Sequence, residues 1–282
     1  MKLNIKLGVI ATLVLLMGTV LVACGDSSPS ADPSGPSGSN LIRDMETAIR
    51  NVPQSHYTVA FQMATAAGGV EGTAKVWAKQ AGMQRIEITS QTDDLNGVIS
   101  GNNGSQGWVL TPKQQTLYVS QGEIGAPHLR NQPEVSAALR QMTLIQEEGL
   151  SNTEATLMGS EQVNGRDTYK VQVKFPNNED LSNVDILFWI DKETSLPQKA
   201  EVSFRRGALT ARGVITLQGD MAQTAVDEQL FAVPALPAGY LQANLEALVD
   251  VLSPDGEAPE GPAPTEQGAD EGVEGTEGAE DN

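Results

Sequence analysis

Between residues 41 and 253 the hydrophobic positions recur in two rhythms, one close to four residues and one of two, and these predict the elements. Leu41, Met45, Ile49 and Val52 stand four, four and three apart, which predicts a helix over 41–52 with one apolar face, ended by Pro53. Alternation follows: Tyr57, Val59, Phe61 and Met63 are separated by smaller or polar residues up to a Gly68-Gly69 turn. Further strands are predicted over 70–79, 83–89, 95–100, 107–111 and 115–120, divided by Gly, Asn or Pro. A second helix is predicted over 133–148, with Val135, Leu139, Met142 and Ile145 on one side.

A second strand group then begins. Tyr169, Val171, Val173 and Phe175 face one way and Lys170, Gln172 and Lys174 the other, directly after Asn164-Gly165, the strongest two-residue hairpin signal in the chain. Strands over 184–191, 196–204 and 211–218 continue the meander, and a last helix is predicted over 241–252. The expected fold is α+β and mainly β: a strongly bent antiparallel sheet of about 11 strands, an open half-barrel with helices on its concave face. That arrangement covers every apolar surface and leaves the polar alternate face wet.

The remaining chain has no such rhythm. Lys2 and Lys6 precede an apolar stretch from Leu7 to Val22, and Ala23 stands before Cys24, the one cysteine of 282 residues. This is the layout of an export signal. The apolar run falls just short of the ~20 residues that span a bilayer, so an uncleaved membrane anchor and an ordinary secreted protein remain the alternatives. The order Leu21-Val22-Ala23-Cys24 resembles the bacterial lipoprotein box. The resemblance implies that the Cys24 thiol receives a diacylglycerol and that residues 1–23 are removed as a lipoprotein signal peptide. Two or three acyl chains hold a protein on a membrane durably, whereas one does not. Localisation is then a lipid anchor on the extracytoplasmic face of a cell membrane, in the periplasm or at the cell exterior.

Residues 24–40, the cysteine and a run of Ser, Pro and Gly, are expected to form a flexible tether spanning about 20–24 Å. Residues 41–253 form the domain, which with no second cysteine must rest on a core rather than on disulfides. Residues 254–282 hold ten Asp and Glu and no Lys or Arg, and are expected to be a disordered acidic tail: a solvating segment, or a docking segment for a basic partner. The formal net charge of −18 excludes nucleic-acid binding through the general field and predicts repulsion from anionic headgroups, which lipid attachment overcomes.

Catalytic and metal chemistry find no constellation. His56 and His128 are the only imidazoles, too far apart in sequence to suggest a metal motif, and no cofactor is expected. Asp93-Asp94 and Glu147-Glu148 are sequence neighbours, which diverge on a strand or a helix and cannot flank one bond. Gly101-Asn102-Asn103-Gly104 lacks the lysine and helix of a phosphate loop. Trp77, Trp108 and Trp189 are read as sheet residues at the edge of the core, with a sugar site as the alternative. His56 is read as structural, at a helix-strand junction.

Several stretches in order carry a family resemblance: S55-H-Y-T-V-A-F-Q-M, G72-T-A-K-V-W-A-K-Q-A-G-M-Q-R-I-E, G101-N-N-G-S-Q-G-W-V-L-T-P-K-Q-Q-T-L-Y-V, F188-W-I-D-K-E-T-S-L-P-Q-K-A-E-V and D227-E-Q-L-F-A-V-P-A-L-P-A-G. Together they resemble the LolA/LolB-like superfamily, which includes outer-membrane lipoprotein-sorting proteins and LppX and LprG type lipoproteins. One departure matters: Lys79-Gln80-Ala81 follows Trp77-Ala78 where LolA-type carriers have Lys-Arg-Pro, an arginine implicated there in holding a helical lid shut. The resemblance implies binding of acyl-bearing cargo, a lipid or the lipid of another lipoprotein, for transport or sorting in the cell envelope. Its expected lining is Val59, Phe61, Met63, Val76, Ile86, Ile88, Trp108, Leu110, Val171, Val173, Ile186, Phe188, Val202 and Phe204. Partners would be membrane lipids through Cys24 and the acyl cargo. The alternative is an RseB-like sensory lipoprotein that signals through an envelope protein partner.

Overall fold

The computed structural model describes residues 36–65, 68–79, 83–120, 150, 153–175, 182–206, 209–222 and 225–245. The predicted signal peptide, Cys24, the helix over 133–148 and the acidic tail lie outside the described residues. Helix α1 (Gly38–Arg50) is capped by Ser37, whose side chain accepts from the Asn40 N–H at 3.2 Å, and closed by the Asn51 N–H on the Thr47 carbonyl. It begins three residues earlier than the spacing predicts. Glycine is needed there, since a Cβ on Gly38 would lie 2.4 Å from the Ala155 carbonyl oxygen. The buried face is Leu41, Ile42, Met45 and Ile49, all at most 6 % exposed.

The strands are β1 (Gln54–Thr65), β2 (Gly68–Lys79), β3 (Met83–Ser90), β4 (Ile99–Asn103), β5 (Gly107–Thr111), β6 (Thr116–Val119), β7 (Glu154–Val163), β8 (Arg166–Lys174), β9 (Ser182–Asp191), β10 (Pro197–Arg206), β11 (Leu209–Ala222) and β12 (Leu241–Asn244). They form one curved, unclosed sheet in the order β12-β6-β5-β4-β3-β2-β1-β11-β10-β9-β8-β7, an α+β open half-barrel. Two meanders, β1–β6 and β7–β11, are joined where β1 pairs antiparallel with β11. The β7–β8 hairpin turns at Asn164 (φ 53°) and Gly165 (φ 77°), the doubly positive pair that the Asn-Gly dipeptide predicts.

Two expectations are corrected, and one strand was missed. The strand predicted over 95–100 is displaced to β4, because 91–97 form turns fastened by the Leu95 N–H on Thr92 and by Asn96 Oδ1 accepting from Ser90 N–H; Leu95 tucks inward at 1 % exposure. The helix predicted from Leu241 is a strand over its first four residues: β12 pairs in parallel with β6, supplying partners to an edge that would otherwise be open. β7 carried no alternation in sequence, because it is an edge strand with exposed residues on both sides.

Register divides the sheet into two faces. Val59 opposes Ala74 and Leu217; Phe61 opposes Ile215, which leads through Ala200 and Phe188 to Val171. This apolar face holds two buried cores. The first gathers Tyr57, Val59, Phe61, Met63, Ala74, Val76, Ile86, Ile88 and Leu217 from β1, β2, β3 and β11. The second joins Val171, Val173, Ile186, Phe188 and Ile190 to the buried face of α1.

On the reverse face, Trp108, Leu117 and Val119 of β5 and β6 form a third small core. Residues 226–233 cross it as a strap. The Val226 N–H donates to Gln54, Arg85 donates to the Leu230 carbonyl at 3.0 Å, and Trp108 Nε1 donates to the Phe231 carbonyl at 3.2 Å. Phe231, fully buried, ends the short 3-10 turn Glu228–Phe231, and the chain runs on into β12.

Candidate ligand-binding face

Antiparallel pairing places every second residue on one face, so the candidate site follows from strand register alone. Of the expected lining, Val59, Phe61, Met63, Val76, Ile86 and Ile88 come together in the first core. Val171, Val173, Ile186 and Phe188 come together in the second, with Val202 packed against it. Phe204 pairs through its backbone with Ala211. Trp108 and Leu110 are on the other side of the sheet. Arg85 opposes Gly101 and Gly101 opposes Trp108, while Ile86, Ser100, Val109 and Tyr118 continue the apolar face. The stretch Trp108-Val109-Leu110 is apolar at every position, so alternation could not assign its inward side.

Across this face the register rows through Val59, Phe61 and Met63 hold no charged residue. The Met63 row reads Val70 on one side and Gly213, Val202, Ile186, Val173 and Ala155 on the other. Phe61 packs against Gly72, where a Cβ would meet its Cζ at 2.8 Å. Sequence reasoning left out Ala74, Leu217 and Tyr57. Tyr57 was legible as an alternating residue; burial pushes its phenol well above the ordinary tyrosine range, so it stays neutral.

Other sequence candidates lie elsewhere. His56 is on the reverse face, stacked on Trp77 with ring centroids 4.8 Å apart. Trp77, Trp108 and Trp189 stand on β2, β5 and β9, three or more strands apart, and do not converge as a sugar site requires. Among the described residues no three His, Cys, Asp or Glu are grouped to hold a metal ion. No described helix is long and apolar enough to cross a membrane. A niche of about 380 Å³ beside β6 and β12 is lined by Gln106, Ser120, Gln242 and Asn244, amides and a hydroxyl unsuited to a hydrocarbon chain.

No protein-family model matches the sequence, and no curated protein does. Among solved structures, the chain is similar to an uncharacterized conserved protein from Thermus thermophilus, with 12% identity over 72% of this chain and 96% of that one and a TM-score of 0.46. It is also similar to a LolA superfamily protein from Nitrosomonas europaea (14% identity, 70% and 98% covered, TM-score 0.35). A third is the Mycobacterium tuberculosis lipoprotein LppX (17% identity, 67% and 95% covered, TM-score 0.40).

Proposed function

We propose that this chain is a membrane-anchored extracytoplasmic lipoprotein that binds acyl chains, of a lipid or of another lipoprotein, against the apolar face of its half-barrel for transport or sorting in the cell envelope. The observation that carries the reading is the uncharged expanse of apolar residues running from β3 through β1 and β11 to β8 on one face of an unclosed sheet. Burying a sixteen-carbon chain there is worth on the order of 12 kcal/mol gross, close to what leaving a bilayer costs. Loading and unloading are then near balance, and the chain needs no nucleotide to drive either.

The two halves divide the work. α1 already covers β7 and β8, so the second core is framework. Cargo is assigned to the first core, whose side chains are at most 8 % exposed and would part to admit an acyl chain, with Tyr57 a neutral phenol at one end. Cys24 carries the anchor, fourteen residues before Gly38, and fourteen extended residues reach about 48 Å. The domain thus works close to the membrane that holds it.

Native mass spectrometry of the full chain purified from its own membrane tests this. Reproducible added mass of acyl lipid, displaced by a fluorescent fatty acid, is the expected result. A chain that carries no lipid and takes up no fatty acid contradicts it.

A further inference from the structure

The polar reverse face holds a feature that acyl binding does not use. Trp189 on β9 is 2 % exposed, although it points away from the apolar face. Its register partners are Lys170 on β8 and Lys199 on β10, and both ammonium groups lie over its indole, at 4.9 and 4.1 Å from the ring centroid. Each contact is a favourable cation–π interaction. The two nitrogens are consequently no more than about 9 Å apart and repel one another.

In a chain with 36 Asp and Glu against 18 Lys and Arg, a carboxylate between them is the expected remedy. None is there. Glu161 accepts from the Trp189 indole N–H, Glu201 is paired with Arg212 at 2.8 Å, Asp191 with Arg166 at 3.2 Å, and Asp185 accepts from Gln172. Among the described residues neither Lys170 nor Lys199 has an ion pair.

We propose that Lys170 and Lys199, held over Trp189, form a binding site for a phosphate-class anion, free or as a lipid headgroup. An ammonium hydrogen-bonded to a phosphate oxygen stands about 4 Å from the phosphorus, so one tetrahedral anion bridges the two nitrogens once their flexible stems bring them within about 8 Å of one another. Lysine suits that role as a point charge whose stem adjusts to the anion. The site is independent of acyl binding and lies on the other side of the sheet. It also adjoins β7, against whose Ala155 the start of α1, and so the end of the tether, is packed.

The test is the Trp189 indole N–H resonance of the full chain in detergent, assigned with Trp189→Phe and titrated with inorganic phosphate at constant ionic strength. A parallel arm uses the chain in vesicles of phosphatidylglycerol or of phosphatidylcholine. The expected result is a saturable shift with phosphate, with phosphatidylglycerol vesicles, or with both, at least tenfold weaker in K170Q/K199Q and retained in K170R/K199R, with all variants melting alike. A response to vesicles alone assigns a headgroup, and one to phosphate alone assigns a free anion. The proposal is overturned if neither arm moves the resonance, if chloride moves it equally, or if K170Q/K199Q responds as the parent does. It is also overturned if removing residues 254–282 moves the resonance before any anion is added, since the tail's carboxylates would then own the site.

Discussion

The two halves of the apolar face use the same alternating strands and reach similar burial, yet they are finished differently. Over β8 and β9 the sheet meets α1, and Ile42 and Met45 at 0 % exposure lock against Val171, Val173, Ile186 and Phe188. Over β1, β2, β3 and β11 no described helix packs, and the core is assembled from strand residues with Leu95 and the partly buried Val98 and Met221. The comparison teaches that alternation makes a surface apolar but does not decide its use. What covers it decides. The half paired with α1 serves stability, and the proposed function assigns cargo to the other half.

The sharpest way to break this division is Phe188→Ala in the second half. It should lower unfolding free energy by about 3–5 kcal/mol in urea titrations, with acyl affinity per folded molecule unchanged. Ile88→Ala in the first half should cost about 2–4 kcal/mol of stability. Unlike Phe188→Ala, it should also weaken fatty-acid binding about tenfold, read by fluorescence displacement; equal affinity losses from the two variants would erase the distinction.

A smaller effect tests the polar clasp that fastens the second half at the β9–β10 turn. Burial works to raise the Asp191 pKa, but hydrogen bonds from Thr194, the Arg166 guanidinium and the Glu193 N–H outweigh it and hold the carboxyl below the ordinary aspartate range. A depressed carboxylate stabilises the fold above its unfolded pKa of about 3.9, and that contribution is lost as pH falls through the lower native value. Acid unfolding of the parent should therefore be steeper below about pH 4 than that of Asp191→Asn. Parallel acid curves would show that the clasp is not coupled to the fold. The smallest expected change is Ser37→Ala, which removes the cap of the covering helix and should cost about 1 kcal/mol, detectable as a lowered Tm with lipid binding intact.

Much of this architecture could be read from residue types. β1 and β8 alternate cleanly, and Asn164-Gly165 announced its hairpin, because each pattern has one local physical cause. The failures share another cause. Trp108-Val109-Leu110 is apolar on both sides because the strap through Phe231 buries the reverse face of β5, a contact across more than a hundred residues that local periodicity cannot register. β12 owes its extended form to the edge of β6, and β7, as an edge, needs no apolar rhythm. Within the two cores the alternating residues of β1, β3, β8 and β9 were legible as apolar positions, but Ala74, Leu217 and Tyr57 were not in the expected lining and Trp108 and Leu110 were wrongly in it. The assignment of one core to α1 was not legible, since it depends on where the helix comes to rest.

The central claim is that acyl cargo lies on the first half of the apolar face. It is tested most directly by photo-crosslinking the full chain with a fatty acid bearing a diazirine along its tail and mapping the modified peptides by mass spectrometry. The account predicts adducts on β1, β2, β3 and β11, around Val59, Phe61, Val76, Ile88 and Leu217, and their loss when unlabelled fatty acid competes. Adducts confined to the reverse face or to the niche beside β12, unaffected by competitor, would contradict it.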